Sequence, residues 1–538
     1  MSSLIGEYDI AVIGGGINGA GIARDAALRG LKVILLEKND FGSGTTSWSS
    51  RLIHGGLRYL EYGEIPLVFE SLHERRRLRH VAPHLVDRIR INIPVYQSSR
   101  RSKFIINLGM VAYDLLSIGK KIPRHRMLNR EELLSEEPGL SADGLIGGAQ
   151  YYDAQVTFAE RLVLENVLSA RKAGADVRNY SPVIGINVRQ GTVRGLQFVD
   201  RTSGQEREVK VAAVINAGGP WVDRVLATVN RELPKFMGGT KGSHIIVGPF
   251  NGAPKAAFYV EARSDGRPFF IIPWNQQYLI GTTDIRYDGD PGDVQASKEE
   301  IDYLLEETNS VFPQAMLSAS DIHFAYAGVR PLPKRDKGPE SAITRKHIIF
   351  RHKRRARGLI SIIGGKLTTY RNLAEQAVDI AAKRLAVSAG DCQTRTLLLP
   401  GAEGFAAAKT ALLSHPEFSE ACATRLLNIY GSRAATFATA KAALRTEDFI
   451  DTEKTVLAAE VAFVIQHELA VSLIDIVHRR MMLGLRPDQG EPLAARIAEI
   501  AAAEAAWSDA ELKRQLSELQ TYNEKFSARS HATSYPRE

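Results

Sequence analysis

The stretch Ser47–Leu60, SWSSRLIHGGLRYL, gathers hydroxyls, two glycines, an imidazole and two guanidinium groups. Within it, Arg51, His54 and Arg58 suit an anionic substrate. Further candidates recur downstream: Lys241 and His244 in TKGSHIIV, Arg330 in AYAGVRPL, Arg345 in SAITR and Lys366 in GGKLTTYR. Arginine grips phosphate or carboxylate through paired N–H donors, so several guanidiniums turned into one pocket imply a phosphorylated or carboxylated substrate. Each alone is more often a surface or ion-pair residue, and only a shared pocket makes them a site. A secondary alcohol would lose its hydroxyl proton to a base while the carbon-bound hydrogen leaves as hydride, so base and acceptor must hold opposite sides of one carbon. His54 and His244 are the candidate bases, since neutral imidazole is available near pH 7. A nearby arginine such as Arg330 would stabilise the developing alkoxide.

Hydride needs an acceptor, and the chain has few redox groups of its own. Its two cysteines, Cys392 and Cys422, supply neither a disulfide framework nor a four-ligand zinc site. No metal is expected, and the chemistry falls to a bound cofactor. With 538 residues, 44% hydrophobic and 24% charged, the chain fits about three globular packing units and excludes a fibrous or wholly disordered protein. The first ten residues read into a strand without a basic-then-apolar leader, so a non-secreted protein is expected.

The cofactor is indicated by an apolar, β-prone run, Tyr8–Ile13, followed by GGGINGAG, a helical stretch to about Arg29, Gly30, and a second strand Leu31–Leu36 ending in Glu37. Gly14, Gly16 and Gly19 have dinucleotide spacing: the first allows the turn, the second lets the backbone meet a pyrophosphate, and the third packs helix on strand. Gly15 and Asn18 share this turn, whose helix N-terminus favours phosphate. Glu37 falls where a carboxylate accepts the adenosine ribose hydroxyls. Two later strands, Val211–Ala217 and Leu359–Ile363, also run into glycine pairs and then helices. Three returns along about 360 residues suggest one extended cofactor, FAD rather than NAD. The expected contacts are Thr45, Thr46, Ser47, Ser49, Gly55, Gly56 and Leu57, then Val183, Ala217 and Gly218, then Gly365, Lys366, Leu367 and Thr368.

Between these segments, Val156–Ala173 reads as an amphipathic helix, and Val183–Val188, Thr192–Val199 and Glu208–Ile215 as strands. His244–Val247, Phe269–Pro273 and Tyr278–Gly281 are further strands able to wall a substrate pocket. From about Gln393 alanine dominates and helical runs follow, including Glu453–Gln466 and Glu468–Met482. The expected partition is a cofactor domain at 1–75, 151–225 and 346–388, a substrate domain at 76–150 and 226–345, a helical domain at 389–523, and a frayed tail at 524–538. Basic clusters stand at Arg75–Arg79, around Arg100–Lys103 and Lys120–Arg126, and at Arg351–Arg357. The second brackets FIINLGMVAYDLLSI, Phe104–Ile118, which is too short to span a bilayer. It reads either as a helix in the headgroup layer or as a buried core helix. Neither an aromatic-interleaved RNA-binding motif nor a zinc pattern supports nucleic-acid binding.

The long string GGGINGAGIARDAALRGLKVILLEKNDFGSGTTSWSSRLIHGGLRYLE, with TKGSHIIV, FFIIPWNQQYLIGTTD, YAGVRPL, AITR and GGKLTTYRNLAE in order, resembles the FAD-dependent sn-glycerol-3-phosphate dehydrogenases. The match is dense over about residues 8–380 and weaker in the alanine-rich part. RLIHGGLRYLE and GGKLTTYR are its most specific strings. The resemblance implies an α/β fold: a Rossmann-like FAD-binding domain, a mixed-sheet substrate domain (amine-oxidase/DAO-like) and a C-terminal all-helical cap domain. It implies oxidation of glycerol 3-phosphate to dihydroxyacetone phosphate, with electrons passed to membrane quinone by a peripheral, monotopic enzyme on the cytoplasmic face of the inner membrane; a homodimer is compatible with this. It assigns Arg58, Arg330 and Arg345 to the substrate and its phosphate, with Lys366, Tyr370 and Thr283 near the reacting end. Arg51 stands where the family often has lysine, which holds phosphate with a different geometry. The alternatives are an oxidase using oxygen and an enzyme acting on an amino acid or 2-hydroxy acid.

Overall fold

The computed structural model describes residues 3–527 except 62, 118, 120–121, 231, 335–343, 386–387 and 440–447, together with all side chains in those segments but those of Arg58 and Thr439. Of the expected tail at 524–538, only residues 524–527 are therefore described, and Lys120 and Lys121 lie outside the description.

The expected βαβ unit forms. Strand Ser3–Ile13 leads through the glycine turn into helix Ile17–Leu28 and returns as strand Val33–Leu36. Gly14 takes φ +105°, a conformation open to glycine at little cost. A Cβ on Gly19 would overlap the Gly14 carbonyl, so helix and strand approach this closely only because that position has no side chain. Five strands lie parallel in the order Leu359–Ile363, Gln205–Asn216, Ser3–Ile13, Val33–Leu36 and Asp176–Arg178 within an eight-stranded sheet. Their register sets Ile13 opposite both Asn216 and Leu36, and Leu36 opposite Arg178, so the carboxyl ends form one edge. Residues such as Val12, Ile34, Leu35 and Ile215 are fully buried, as expected where helices cover both faces of a parallel sheet.

A second, ten-stranded sheet is mixed. It includes Val86–Tyr96, Leu145–Val156, Thr240–Val247, Pro268–Trp274, Gln277–Gly281 and Ile322–Arg330. Strand Leu145–Val156 carries this sheet past the expected boundary at 150. The helical unit, Phe405–Glu524, packs on an apolar core that is continuous with that of the second sheet. Residues 390–399 belong to the first half: Gly390 N–H donates to the Arg29 carbonyl, the Arg24 guanidinium to the Leu397 carbonyl, and Leu399 N–H to the Val81 carbonyl.

Several sequence expectations are corrected by burial. The helix read from Val156 begins at Ala159 and is enclosed on nearly all sides rather than amphipathic. Its charged residues point inward to partners. Arg161 makes a two-pronged pair with Glu468 (2.6 and 2.7 Å), Glu165 accepts from Arg433, and Glu160 meets Arg51. The run Glu453–Gln466 is helical only from Ala459, where the helix extends to Glu468. Leu469 then takes φ +59°, which ends the helix. Within Glu468–Met482 the chain leaves the helix after Glu468 and is helical again only over residues 473–480, of which Asp475–Arg480 form a widened π turn. The first basic cluster is only partly a surface patch, with Arg76 exposed and Arg77 and Arg79 half-buried. Arg75 is fully buried against Asp153, and Arg77 pairs with Glu74. The core-helix alternative for Phe104–Ile118 also fails, because helix Lys103–Leu116 buries only Met110 and Tyr113, while Phe104 is 76% and Leu108 61% exposed.

Breaking a buried ion pair leaves an uncompensated charge and costs about 3–5 kcal/mol. Arg161→Met should therefore lower the unfolding free energy by that order in urea titrations, whereas Arg496→Met, whose partner Glu499 is solvent-exposed, should change it little.

Candidate active site

The carboxyl edge of the parallel strands opens on one cavity of about 1260 Å³. Gly14, Gly16, Asn18, Glu37, Thr45, Thr46, Ser49, Gly56 and Leu57 line it, as do Val183, Ala217, Gly218, Gly365, Lys366, Leu367 and Thr368. The remaining predicted cofactor contacts sit behind this wall. Gly15 N–H donates to Glu37 Oε2 (2.6 Å), Gly19 packs under Gly14, Ser47 Oγ donates to the Gly42 carbonyl (2.6 Å), and Gly55 N–H donates to Tyr113 Oη and Asp153.

This wall fits FAD. Gly365, at φ +106°, leaves no room for a Cβ beside the Asn18 amide. Asn18 Oδ1 and Trp221 Nε1 are buried with no partner among the described residues, and Lys38 Nζ lies 3.9 Å above the Trp221 ring. Glu37 is anchored by Gly15 and Asn39 N–H groups (2.6 and 2.9 Å), and its burial raises its pKa above the usual carboxylate value. A long cavity floored by Cβ-free backbone at three strand ends, with a carboxylate at the end of the second strand, has the form a dinucleotide requires.

The anion-binding group forms between the two sheets. Asp284 bridges Arg330 (3.0 Å) and Arg345 (3.3 Å). Arg330 is fixed further by Thr240 Oγ1, Thr282 Oγ1 and the Thr283 carbonyl (3.3, 3.1 and 3.0 Å), and burial pulls its pKa down to about 10. Lys366 faces the same cavity. Its Nζ donates to Ser71 Oγ (3.0 Å) and lies 4.5 Å from the Tyr59 ring centre. Burial lowers its pKa to about 8.

Both candidate bases line the cavity, in different states. His244 is 2% exposed, stacks on Tyr326 (4.9 Å between ring centres) and shares a 2.9 Å hydrogen bond between Nε2 and Ser50 Oγ. His54 presents a half-buried ring edge-on to Phe270 (6.4 Å), and its backbone is tied to Thr368 Oγ1. Burial depresses both pKa values to about 3, helped by Arg330 and Arg51 at His244 and by Lys366 and Arg75 at His54. Both rings are neutral near pH 7.

Three predicted substrate residues are turned elsewhere. The buried Arg51 guanidinium is held by Glu160 with two 2.7 Å bonds and lies over Trp274. Lys241 Nζ pairs with Glu300 (2.7 Å) behind the sheet. Tyr370 is buried, with its hydroxyl near Asn166 (2.9 Å). Thr283 lines the cavity, while its hydroxyl donates to Glu300 (2.6 Å). Arg58 lies in the helical turn Arg58–Glu61, and its side chain is outside the described residues. Sequence reasoning missed Asp284, Ser50, Trp48 and Tyr326. Asp284 stands in the string GTTD, but only the pairing of Thr240 with both Arg330 and Arg286 brings it to the arginines.

Residues 9–371 match the family of FAD dependent oxidoreductases, and residues 392–512 match the C-terminal domain of alpha-glycerophosphate oxidase. A glycerol-3-phosphate dehydrogenase of Synechocystis sp. is 46% identical, covering 96% of each chain. This chain belongs to the FAD-dependent glycerol-3-phosphate dehydrogenase family. An aerobic glycerol-3-phosphate dehydrogenase of Staphylococcus saprophyticus is 35% identical over 88% of this chain and 86% of its own. Among solved structures, the family member from Bacillus halodurans, complexed with FAD, superposes with a TM-score of 0.78 at 29% identity, covering 99% of this chain and 97% of its own. The L-alpha-glycerophosphate oxidase of Mycoplasma pneumoniae shares the fold, with a TM-score of 0.57 at 17% identity over 73% of this chain and 98% of its own.

His54, His244 and His478 all bind protons only near pH 3 in the folded chain, against about 6.5 when unfolded. The unfolded state thus binds more protons below pH 6.5, and the stability contributed by these neutral rings is complete above that value and declines as pH falls towards 3. Melting temperature should drop from pH 7 to pH 5, and His244→Asn should make that dependence shallower.

Proposed function

We propose that the chain oxidises sn-glycerol 3-phosphate to dihydroxyacetone phosphate and passes the electrons to a membrane quinone from the cytoplasmic face of the inner membrane. The observation that carries this reading is the Asp284-bridged pair Arg330 and Arg345, opposite Lys366, in the cavity floored by the glycine loops. Three cations against one carboxylate leave an excess of positive charge suited to a phosphate dianion.

Bound FAD supplies the two-electron acceptor. Arg330 and Arg345 supply the positive charge that holds the phosphate; the bonds of Arg330 to Thr240, Thr282, the Thr283 carbonyl and Asp284 engage its terminal N–H groups and fix that charge in place, so little freedom is lost on binding. His54 takes the C2 hydroxyl proton, because its ring is the more exposed of the two that line the cavity, whereas His244 is nearly fully buried with Nε2 already bonded to Ser50. Lys366 places positive charge beside the developing alkoxide.

Two further features support the membrane part of the reading. Helix Lys103–Leu116 exposes Phe104, Ile105, Leu108, Val111 and Leu115, next to exposed Ile65 and Phe69 of helix Ile65–Val81. No helix among the described residues is long and apolar enough to cross a membrane. Such an apolar face, with Arg124 and Arg126 exposed nearby, suits insertion to headgroup depth.

Anaerobic addition of glycerol 3-phosphate should bleach the flavin, with glycerol and lactate inert. Stoichiometric peroxide without another acceptor would indicate an oxidase instead. His54→Asn should lower turnover about 10²- to 10⁴-fold with flavin still bound. Since kcat/KM reports the free enzyme, it should fall above about pH 8 as Lys366 loses its proton, and Lys366→Arg should shift that fall to higher pH. Phe104→Glu with Leu108→Glu should abolish cosedimentation with anionic vesicles at low salt.

A further inference from the structure

The helical unit takes no part in the chemistry just described, yet Ile474, Arg479, Tyr522, Lys525 and Phe526 belong to the cavity wall. Beside its contacts elsewhere, such as Glu468 with Arg161 and Arg433 with Glu165, the helical unit meets both ends of one cavity loop, residues 40–50. At the first end, buried Asp40 accepts from Arg479 Nε (2.6 Å) and from both terminal nitrogens of Arg480 (2.8 and 2.8 Å). The π turn Asp475–Arg480 carries these consecutive arginines, and wide turns of this kind are frequent at functional sites. The same end is tied to the ribose-side strand edge. Asn179 Nδ2 donates to Asp40 Oδ1 (3.1 Å) and to the Leu469 carbonyl (3.0 Å), Tyr180 Oη donates to Asp475 (2.7 Å), and Ser181 N–H donates to the Glu37 carbonyl (2.7 Å).

At the second end, Trp48 stacks on Phe526 with ring centres 4.8 Å apart, and the Phe526 carbonyl accepts from Ala325 N–H (2.8 Å) in the second sheet. Between the two anchors, Ser43, Gly44, Thr45 and Thr46 face the cavity, and Thr46 Oγ1 accepts from Ile17 N–H (3.2 Å) at the head of the glycine-turn helix. Ser50, just beyond Trp48, holds His244. The segment between Glu37 and His54 has no regular secondary structure apart from the two-residue strand Leu52–Ile53, so its shape depends on these anchors together with bonds to the glycine turn and the second sheet, Gly42 N–H to the Gly15 carbonyl, Thr45 Oγ1 to the Val329 carbonyl and Tyr326 Oη to the Ser49 carbonyl (3.0, 2.8 and 2.9 Å). A loop ordered beforehand spares a ligand the entropy of ordering it and so binds more tightly.

We infer that the C-terminal helical unit clamps the cofactor loop, with Arg479, Arg480 and Phe526 as positioning residues that hold residues 40–50 in the shape that retains FAD. This rests on reading the cavity as the flavin site and is independent of the substrate.

The test follows FAD release from full-length holoenzyme after dilution, by the fluorescence of the freed flavin, together with the visible absorption of the bound flavin. Arg479→Met weakens the first anchor while Arg480 still holds Asp40, and Phe526→Ala removes the ring at the second anchor with the ion pairs intact. Each should speed release about tenfold, an effect on the scale of a lost aromatic or charged contact, and shift the bound-flavin band. Phe437→Ala, in the apolar core of the same helical unit, should lower the melting temperature without altering release. Unchanged release in both loop-anchor variants would overturn the inference, as would equal acceleration by Phe437→Ala. Faster release from the anchor variants in an enzyme that glycerol 3-phosphate fails to bleach would leave the clamp standing and remove the substrate assignment.

Discussion

Helix and strand in the first βαβ unit meet at a distance that no side chain tolerates, and much of the molecule is arranged around that contact. With Gly19 seated under the Gly14 carbonyl, and a Cβ at Gly14 excluded by the Ala217 carbonyl, the first strand and the strand Gln205–Asn216 end side by side with backbone bare to the cavity. The parallel register then brings Leu359–Ile363 and its own glycine pair to the same edge. Further along the cavity, His244 and Arg330 are placed relative to that floor by the second sheet, and Arg345 by the approach to the strand Ile348–Arg351 of the first.

How much of this was legible follows from what each signal depends on. The glycine spacing and the strand-to-glycine returns are local, and they give the cofactor half nearly residue by residue: Leu359–Ile363 forms with the expected ends. The anion-binding residues are legible only as types. Arg330 and Arg51 look alike in sequence, but one meets Asp284 at the cavity and the other Glu160 in the interior, because which face of the protein a guanidinium reaches is decided by partners 46 and 109 positions away. Lys241 is a clearer case. Alternation along its strand turns it to the face opposite His244, towards Glu300.

The charged helix Ala159–Lys172 defeats an amphipathic reading for a related reason. Periodicity assumes that charges face water, whereas here Glu160, Arg161 and Glu165 are balanced by residues from distant segments. The apparent basic cluster at Arg75–Arg79 misleads in the same way. The exposed apolar helix Lys103–Leu116 is the reverse: its sequence suits a core or an interface equally, and the exposure of Phe104 and Leu108 among the described residues separates the two.

The pairing of Arg161 with Glu468, and of Arg433 with both Glu165 and Glu468, bears on how such a protein can be inherited. Although the helical unit is recognisable as a separate stretch of sequence, it carries half of a buried charge balance whose other half lies in the Rossmann-like portion. A foreign helical unit spliced on by recombination would have to bring the matching carboxylate and guanidinium together, or strand ions in an apolar seam. Lineages should therefore keep or change these positions as a set, and the two portions should descend as one unit rather than as exchangeable modules.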